Sequence, residues 1–300
     1  AEGNNPSTQR NLLARNAEGE YILFLDDDSL PINSLLEKYQ NTLQAYPGTE
    51  ILGGPSLLIE KQNNLYHLSN IFFSSIFGIG PIRSRYNSLG KVRKATEREL
   101  ILCNLLMKRA FFLKTKGFDQ NIYPGEENEF LKSLQTSTRI IYDPKAIVYR
   151  EPRDSFYLFL KQMFSYGRGR AKHLKLNYFF EYLFLIPLLF SLYVISLPFI
   201  VNQSFVFYTP LLGHFVSSLL TLLVNQKTRL TIYQKSLLPF FFLLGHFGYG
   251  LGLIVGIFQY KILKILIVSK KTKEEIQIHR LKNFKKSSTK SNFSIKLTHD

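Results

Sequence analysis

The sequence predicts an α/β domain followed by a membrane-associated helical region. Up to about residue 153, short apolar runs rich in strand formers alternate with helix-forming stretches, an order typical of α/β sheet domains. From about residue 178 to 268, Phe, Leu, Ile, Tyr and Gly dominate instead, so the mean hydropathy of -0.03 averages two unlike parts. Basic residues lie beside the apolar spans rather than being spread evenly along the chain.

The change in composition predicts four segments. They are a partial α/β domain at 1–153, an amphipathic interfacial segment at 154–176, about three transmembrane helices within 177–268 and a basic tail at 269–300. The apolar stretches at 178–201, 204–224 and 237–258 are each near the ~20 residues that cross a hydrocarbon core. Three full crossings from a cytoplasmic domain would place the basic tail outside the cell. Because this opposes the positive-inside tendency, either one stretch is re-entrant or interfacial, or the number of crossings differs from three.

The formal net charge of +16 fits either nucleic-acid binding or a membrane surface. The basic residues at 168–175 and 270–296 flank the apolar spans and form no recognisable nucleic-acid module. Such flanking charge indicates a cytoplasmic face in contact with anionic lipids. We therefore predict a multi-pass protein of the cell membrane that has membrane lipids, and not nucleic acid, as partners. The single cysteine, Cys103, excludes an intrachain disulfide.

Local patterns predict the elements of the α/β domain. The apolar run at 20–25 predicts a buried strand that ends at Asp26. Cap and first-turn residues after the acidic triplet then predict a helix at 33–45. Further strands and helices are predicted at 51–55, 100–107, 110–116 and 126–134.

Three other stretches of the domain carry weaker patterns. Residues 139–142 and 146–149 bracket Asp143-Pro144, which predicts a single interrupted or edge-like strand. The aromatic-rich stretch at 65–77 is expected to pack on the sheet. The basic stretch at 78–98 is expected to be a long loop that either contacts an acceptor or is a mobile surface.

The C-terminal half shows helical periodicity. The stretch at 156–175 is amphipathic and basic, which predicts a helix lying in the membrane interface. Glycines recur at intervals of four in the last predicted span, at positions 248, 252 and 256, which indicates close helix packing. His214 and His246 lie within predicted spans and serve either an interhelical hydrogen bond or a function.

Two acidic clusters can carry chemistry. Asp26-Asp27-Asp28 follows a predicted strand, where carboxylates can hold Mg²⁺ or Mn²⁺, although a solvated start of a helix gives the same pattern. About a hundred residues later, Glu126-Glu127-Asn128-Glu129 opens a predicted helix. A carboxylate there can act as a general base, and acidic residues are also ordinary capping groups at a helix start.

Several motifs stand in a fixed order: Arg10-Asn11, the run at 17–28, Gly117-Phe118-Asp119, and the runs at 123–129, 162–170 and 246–252. Their order and spacing over residues 7–175 resemble the family 2 glycosyltransferases of the membrane-bound bacterial type. The resemblance implies a partial GT-A fold (Rossmann-like, with a mixed sheet) followed by C-terminal transmembrane helices. It also implies inverting transfer of a sugar from a nucleotide-diphosphate donor to a lipid-linked or polysaccharide acceptor at the cytoplasmic membrane face.

The same resemblance implies roles for individual acids. Asp26 and Asp28 would lie near a divalent metal, Mg²⁺ or Mn²⁺, and the donor diphosphate. Glu127 stands where the family usually has its catalytic-base Asp, and because Glu is longer, Glu126 remains an alternative base. Arg168 and Arg170 would contact phosphates, or else supply ordinary membrane-surface charge.

One part of the family pattern has no counterpart. Family members begin with a strand–helix–strand unit that holds the nucleotide base, and it would lie before Ala1. The chain is therefore expected to be a piece of a longer protein. The alternative function is a truncated, non-catalytic membrane fragment or interaction module. A transporter is disfavoured, because the predicted spans contain few charges beyond Glu181.

Overall fold

A computed structural model of the chain describes residues 5–122, 125–134, 137–173, 183, 185–199, 204–224 and 230–288, with backbone only at His173, Val224 and 261–288. Three predictions fall partly outside these residues. They concern the motif positions Tyr123-Pro124, the beginning and end of the apolar stretch at 178–201, and the tail beyond residue 288.

Strands and helices alternate through the first half, and helices follow. The strands are β1 (Tyr21–Phe24), β2 (Ser29–Pro31), β3 (Ile51–Gly53), β4 (Ser56–Leu58), β5 (Arg93–Lys94), β6 (Leu105–Lys108), β7 (Ile140–Tyr142) and β8 (Val148–Arg150). The helices are α1 (Pro6–Asn16), α2 (Leu35–Ala45), α3 (Asn64–Ser74), α4 (Ile76–Ile79), α5 (Arg109–Phe112), α6 (Glu126–Ser133), α7 (Phe156–His173), α8 (Leu185–Ser196), α9 (Thr209–Val224) and α10 (Ile232–Ser288).

The strands form two sheets, and both mix parallel and antiparallel pairs, as predicted. A five-stranded sheet has the order β1-β6-β3-β7-β5, in which β3 and β7 are parallel. A three-stranded sheet has the order β2-β8-β4, in which β4 and β8 are parallel. The prediction of one interrupted, edge-like strand around Asp143-Pro144 was wrong. This turn instead carries the chain from β7, internal to one sheet, to β8, the centre of the other.

The five-stranded sheet is covered on both faces. Along β6, Leu105 and Met107 join one core cluster and Leu106 joins another, because alternate residues of a strand point to opposite faces. Phe112 of α5 belongs to the first cluster, and Tyr39 of α2 belongs to the second.

A buried amide connects the sheets. Asn104 is fully buried, and its Nδ2 donates to the carbonyl oxygens of Pro55 at 3.0 Å and Ala146 at 2.8 Å. The Tyr39 hydroxyl donates to the Asn104 side-chain oxygen. A single side chain thereby satisfies polar groups of three separate segments.

The aromatic-rich helix α3 was predicted to pack on the sheet. It packs mainly on other helices instead. Phe72 lies 5.4 Å from the Phe159 ring of α7 and 5.0 Å from the Phe242 ring of α10, measured between centroids. All three side chains are buried. Ile101 and Cys103 join the same cluster, which places α3 between the strands and the C-terminal helices.

The close packing predicted from the glycine repeat is confirmed between α7 and α10. A Cβ added at Gly252 would collide with the Phe164 carbonyl of α7. In the reverse direction, a Cβ at Gly167 of α7 would collide with the Tyr249 carbonyl of α10. The predicted interfacial helix therefore has one face covered by protein, with Phe159 and Met163 buried against α10 and its neighbours.

Two described helical stretches are long and apolar enough to cross a membrane, judged by length and composition alone. They are Phe205–Leu223 and Ile232–Tyr260, while the apolar helix at Leu185–Phe199 is shorter. Between these helices, His214 Nε2 lies 3.0 Å from His246 Nδ1, which fits the interhelical hydrogen-bond interpretation of the pair. His246 Nε2 also lies 2.9 Å from the Gly78 carbonyl oxygen.

The stretch at 78–98 is more ordered than the predicted loop. It contains a 3-10 helix at Gly80–Arg85 and the strand β5, which pairs with β7. Arg93 stacks on the ring of Tyr142, with its guanidinium carbon 4.4 Å from the centroid. Pairing and stacking together fix this segment against the sheet.

Candidate active site

A cleft of about 340 Å³ opens beside the carboxyl end of β1. Its lining includes Asp26 and Asp28 from the turn after β1, and Glu126 and Glu127 from the start of α6. Arg170 of α7 also lines it. The fold thus brings together both acidic motifs, which are about a hundred residues apart in the chain.

The Asp triplet forms a tight turn between β1 and β2. The Ser29 amide donates to the Asp26 carbonyl oxygen at 3.0 Å, which closes the turn. The Asp26 side chain is 41% exposed, and both Asp27 and Asp28 are exposed, but Asp27 does not line the cleft. Two carboxylates, separated in the chain by one residue, therefore line the cleft from a short, constrained segment.

These two carboxylates fit one kind of metal site. Among the residues that the structure describes, no group of three or more His, Cys, Asp or Glu side chains gathers as a metal cluster. Mg²⁺ is commonly held by one or two carboxylates, with substrate phosphates and water completing its shell. Asp26 and Asp28 fit that arrangement and do not form a closed protein cage.

Arg10 links the two acidic motifs. One terminal nitrogen lies 3.0 Å from Asp26 Oδ1, and the other lies 2.6 Å from Glu126 Oε1. Helix α1 carries Arg10, and Asn5 caps that helix by accepting from the Thr8 amide. Sequence reasoning used Arg10 only as part of a motif and missed this bridging position.

Glu126 is held in a buried position at the start of α6. Gly125 caps the helix with φ of 101°, a conformation that glycine adopts without steric cost. The Glu126 side chain is 4% exposed. Burial raises the pKa of Glu126, the Glu127 charge adds to this effect, and Arg10 opposes it.

Glu127 is more accessible and has different partners. Its side chain is 13% exposed, and its Oε1 lies 3.6 Å from a terminal nitrogen of Arg85. The Asn128 side-chain amide donates to the same oxygen at 3.1 Å. Arg85 also donates to the carbonyl oxygens of Glu97 and Arg98, so the ordered segment at 80–98 supports this carboxylate.

Three further arginines differ in their relation to the cleft. Arg150 and Arg153 line it, although sequence reasoning did not single them out. Arg168 is exposed and does not line it, although Arg170, two residues later, does. The pattern of apolar and basic residues in α7 does not predict this difference. The difference depends on which face of α7 packs against α10.

Cys103 lies at the inner wall of the cleft. It is 3% exposed, and this burial raises the pKa of its thiol. A buried thiol with a raised pKa is mostly protonated near neutral pH and is a poor nucleophile. Cys103 therefore serves as an apolar wall residue.

Comparison with solved structures shows a likeness to a glycosyltransferase. No protein-family model matches the sequence, and no curated protein matches it. A solved structure of a mannosyltransferase from Pyrobaculum calidifontis, in complex with GDP-Man and Mn²⁺, is similar with a TM-score of 0.51 at 14% identity. The alignment covers 84% of this chain and 68% of that one. The chain therefore has a glycosyltransferase fold, and this part of the predicted resemblance is confirmed.

Proposed function

We propose that the chain carries the metal-and-acceptor part of an inverting glycosyltransferase of family 2. It would move a sugar from a nucleotide-diphosphate donor to a lipid-linked or polysaccharide acceptor at the cytoplasmic membrane face. The observation that carries the proposal is one cleft in which Asp26 and Asp28 face Glu126 and Glu127. The fold shared with a mannosyltransferase that binds GDP-Man and Mn²⁺ supports it.

Asp26 and Asp28 are the proposed metal ligands. Arg10 lies 3.0 Å from Asp26 Oδ1. Asp26 Oδ2 and both carboxylate oxygens of Asp28 therefore remain available to bind a cation. When bound, Mg²⁺ or Mn²⁺ would neutralise the charge of the departing nucleotide diphosphate. Arg170, which lines the cleft, is the better placed of the two arginines proposed to contact phosphates, because Arg168 lies outside it.

Glu127 is the proposed general base. An inverting transfer requires a group that takes the proton of the acceptor hydroxyl as its oxygen attacks the sugar carbon. Glu127 suits this task better than Glu126, because its side chain is 13% exposed and that of Glu126 is 4% exposed. Asn128 and Arg85 orient the Glu127 carboxylate, while Arg10 occupies Glu126 Oε1.

The proposed acceptor follows from the helices that line the cleft. Phe159, Gln162 and Tyr166 of α7 and Tyr249 of α10 are among the lining residues. The same α10 contains the apolar stretch Ile232–Tyr260. An acceptor carried by a membrane lipid could therefore reach the carboxylates along the helices that form the apolar region.

Sugar transfer by membranes containing the full-length protein, supplied with a panel of nucleotide-diphosphate sugars and polyprenyl phosphate, tests the proposal. We expect Asp28→Asn to lower turnover about 100-fold, because a charge that stabilises the leaving group is lost. Asp27→Asn is the matched control, since Asp27 has the same charge but does not line the cleft. Near-normal turnover of the Asp28 variant, or equal losses in both variants, would contradict the proposed metal role.

A further inference from the structure

Arg150 occupies a fixed position beside the Asp turn. It ends β8, the central strand of the three-stranded sheet, where it pairs with Ser29 on β2 and Leu58 on β4. Ser29 directly follows Asp28, so the Arg150 backbone lies next to the segment that carries the proposed metal ligands. The Ile59 amide donates to the Arg150 carbonyl oxygen at 2.9 Å, which extends the pairing beyond β4.

Aromatic groups hold the Arg150 side chain. Its guanidinium carbon lies 4.8 Å from the ring centroid of Tyr86, a cation–π arrangement that fixes the plane of the fork. The Tyr166 hydroxyl also interacts with it, and Gln162 orients that hydroxyl by donating to it at 2.9 Å. The guanidinium is therefore positioned by stacking rather than by a carboxylate.

Arg150 has no acidic partner in the described part of the chain. Its Nε is buried and makes no hydrogen bond to any described group. Most acids of the cleft pair with other basic residues: Asp26 and Glu126 with Arg10, Glu127 with Arg85, and Glu151 with Lys61. A partly enclosed guanidinium that lacks a counter-ion carries a desolvation cost, which a bound anion would offset.

We propose that Arg150 is the centre of a phosphate-binding subsite in the cleft. The planar fork of arginine matches phosphate oxygens in a bidentate manner, and the proposed metal ligands Asp26 and Asp28 line the same cleft. Arg170 of α7 lines the same cleft. The inference rests on the proposed transferase function. The phosphoryl group would belong to the donor diphosphate or to a phosphorylated lipid acceptor.

Binding of two probes to the full chain in detergent separates these sources. The probes are pyrophosphate, titrated with and without Mg²⁺, and a polyprenyl monophosphate. We expect Arg150→Gln to weaken at least one of them about 10-fold or more, since hydrogen bonds to a charged group are lost. Arg150→Lys keeps the charge without the fork, and we expect it to bind several-fold more weakly than the wild type. Arg15→Gln is the control, because Arg15 is exposed on α1 and does not line the cleft.

The binding results distinguish the two possible sources of the phosphoryl group. Loss for pyrophosphate alone assigns the subsite to the donor, and loss for the polyprenyl phosphate alone assigns it to the acceptor. Unchanged affinity of the Gln variant for both probes overturns the inference, as does a wild-type chain that binds neither probe. If circular dichroism shows that the Gln variant is unfolded, the Lys variant decides, and its unchanged affinity then overturns the inference.

The subsite and the transferase function can fail separately. Sugar transfer that requires Asp28, combined with phosphate binding that does not require Arg150, would refute the subsite alone. Phosphate binding that requires Arg150, combined with a full-length protein that transfers no sugar from any donor of the panel, would refute the transferase function alone.

Discussion

Glu126 and Glu127 are adjacent in the chain, yet a different arginine binds each carboxylate. Arg10 from α1 lies 2.6 Å from Glu126, and Arg85 from the 3-10 helix lies 3.6 Å from Glu127. The first contact is short and its acid is 4% exposed, whereas the second is longer and its acid is 13% exposed. This difference supports the proposed division, in which Glu126 is a structural residue and Glu127 is the general base.

This division predicts opposite effects of two isosteric substitutions. We expect Glu127→Gln to lower turnover by about 100-fold or more, because the proton acceptor is lost, and to leave Tm unchanged. We expect Glu126→Gln to lower Tm, because the buried partner of Arg10 is lost, with a smaller effect on turnover. Turnover and thermal unfolding of both variants are the measurements. Loss of turnover in the Glu126 variant with an unchanged Tm would instead assign the base to Glu126.

The buried side-chain amide of Asn104, which does not line the candidate active site, predicts an effect on stability. Asn104→Ala leaves the carbonyl oxygens of Pro55 and Ala146 without their donor in a buried site. We expect a loss of about 2 kcal/mol or more in the free energy of unfolding, measured by thermal or denaturant unfolding in detergent. Asn121→Ala is the matched control, because Asn121 is exposed. Equal stability of the two variants would show that the Asn104 hydrogen bonds contribute little.

Cys103 predicts a pH dependence of thiol alkylation. Burial raises the pKa of this thiol, so the reactive thiolate forms only above the usual range near 8.5. The rate of iodoacetamide labelling, followed by mass spectrometry, should therefore have its midpoint at a higher pH in the folded chain than in the unfolded chain. The same chain unfolded in guanidinium is the control and should show a midpoint near ~8.5. A native midpoint at or below the unfolded one would contradict the prediction.

The contact between α7 and α10 predicts that two glycines differ in how well they tolerate substitution by alanine. Gly252→Ala would place its Cβ against backbone of α7, with the Phe164 carbonyl carbon at 2.8 Å. Because backbone atoms cannot move aside freely, we expect a loss of about 1 to 3 kcal/mol, seen as a lower Tm. Gly213→Ala in α9 is the control, since its Cβ would meet nothing within 4 Å. Equal Tm values would mean that the two helices can separate without cost.

Local patterns in the sequence were enough to predict much of this fold. The strand β1, the helix α2 and the helix α6 lie where apolar runs and capping residues predicted them, because such signals act over a few residues. The rule that ligands of open α/β sheets bind beyond the strand ends predicted a site only at the Asp triplet. The pairing of the two acidic motifs was expected from the family resemblance.

What the sequence did not reveal depends on partners distant in the chain. The Asp143-Pro144 turn looks like a break in one strand, because β8 pairs with β2 and β4, which lie about 90 to 120 residues earlier in the chain. The periodicity of α3 shows that one face is apolar, but it does not say which element covers that face. Likewise, the ion pairs of Arg10 and Arg85 produce no periodic pattern in the sequence. They are visible only in the structure.

The cluster that joins Phe72, Phe159 and Phe242 has a practical consequence. The composition changes near residue 153, and that position would look suitable for cutting the chain to obtain a water-soluble domain. Such a cut would remove Phe159 and Phe242 and expose Phe72 together with Ile101 and Cys103 to solvent. The first half and the first part of α10 should consequently unfold as one cooperative unit, and the shortened chain should aggregate.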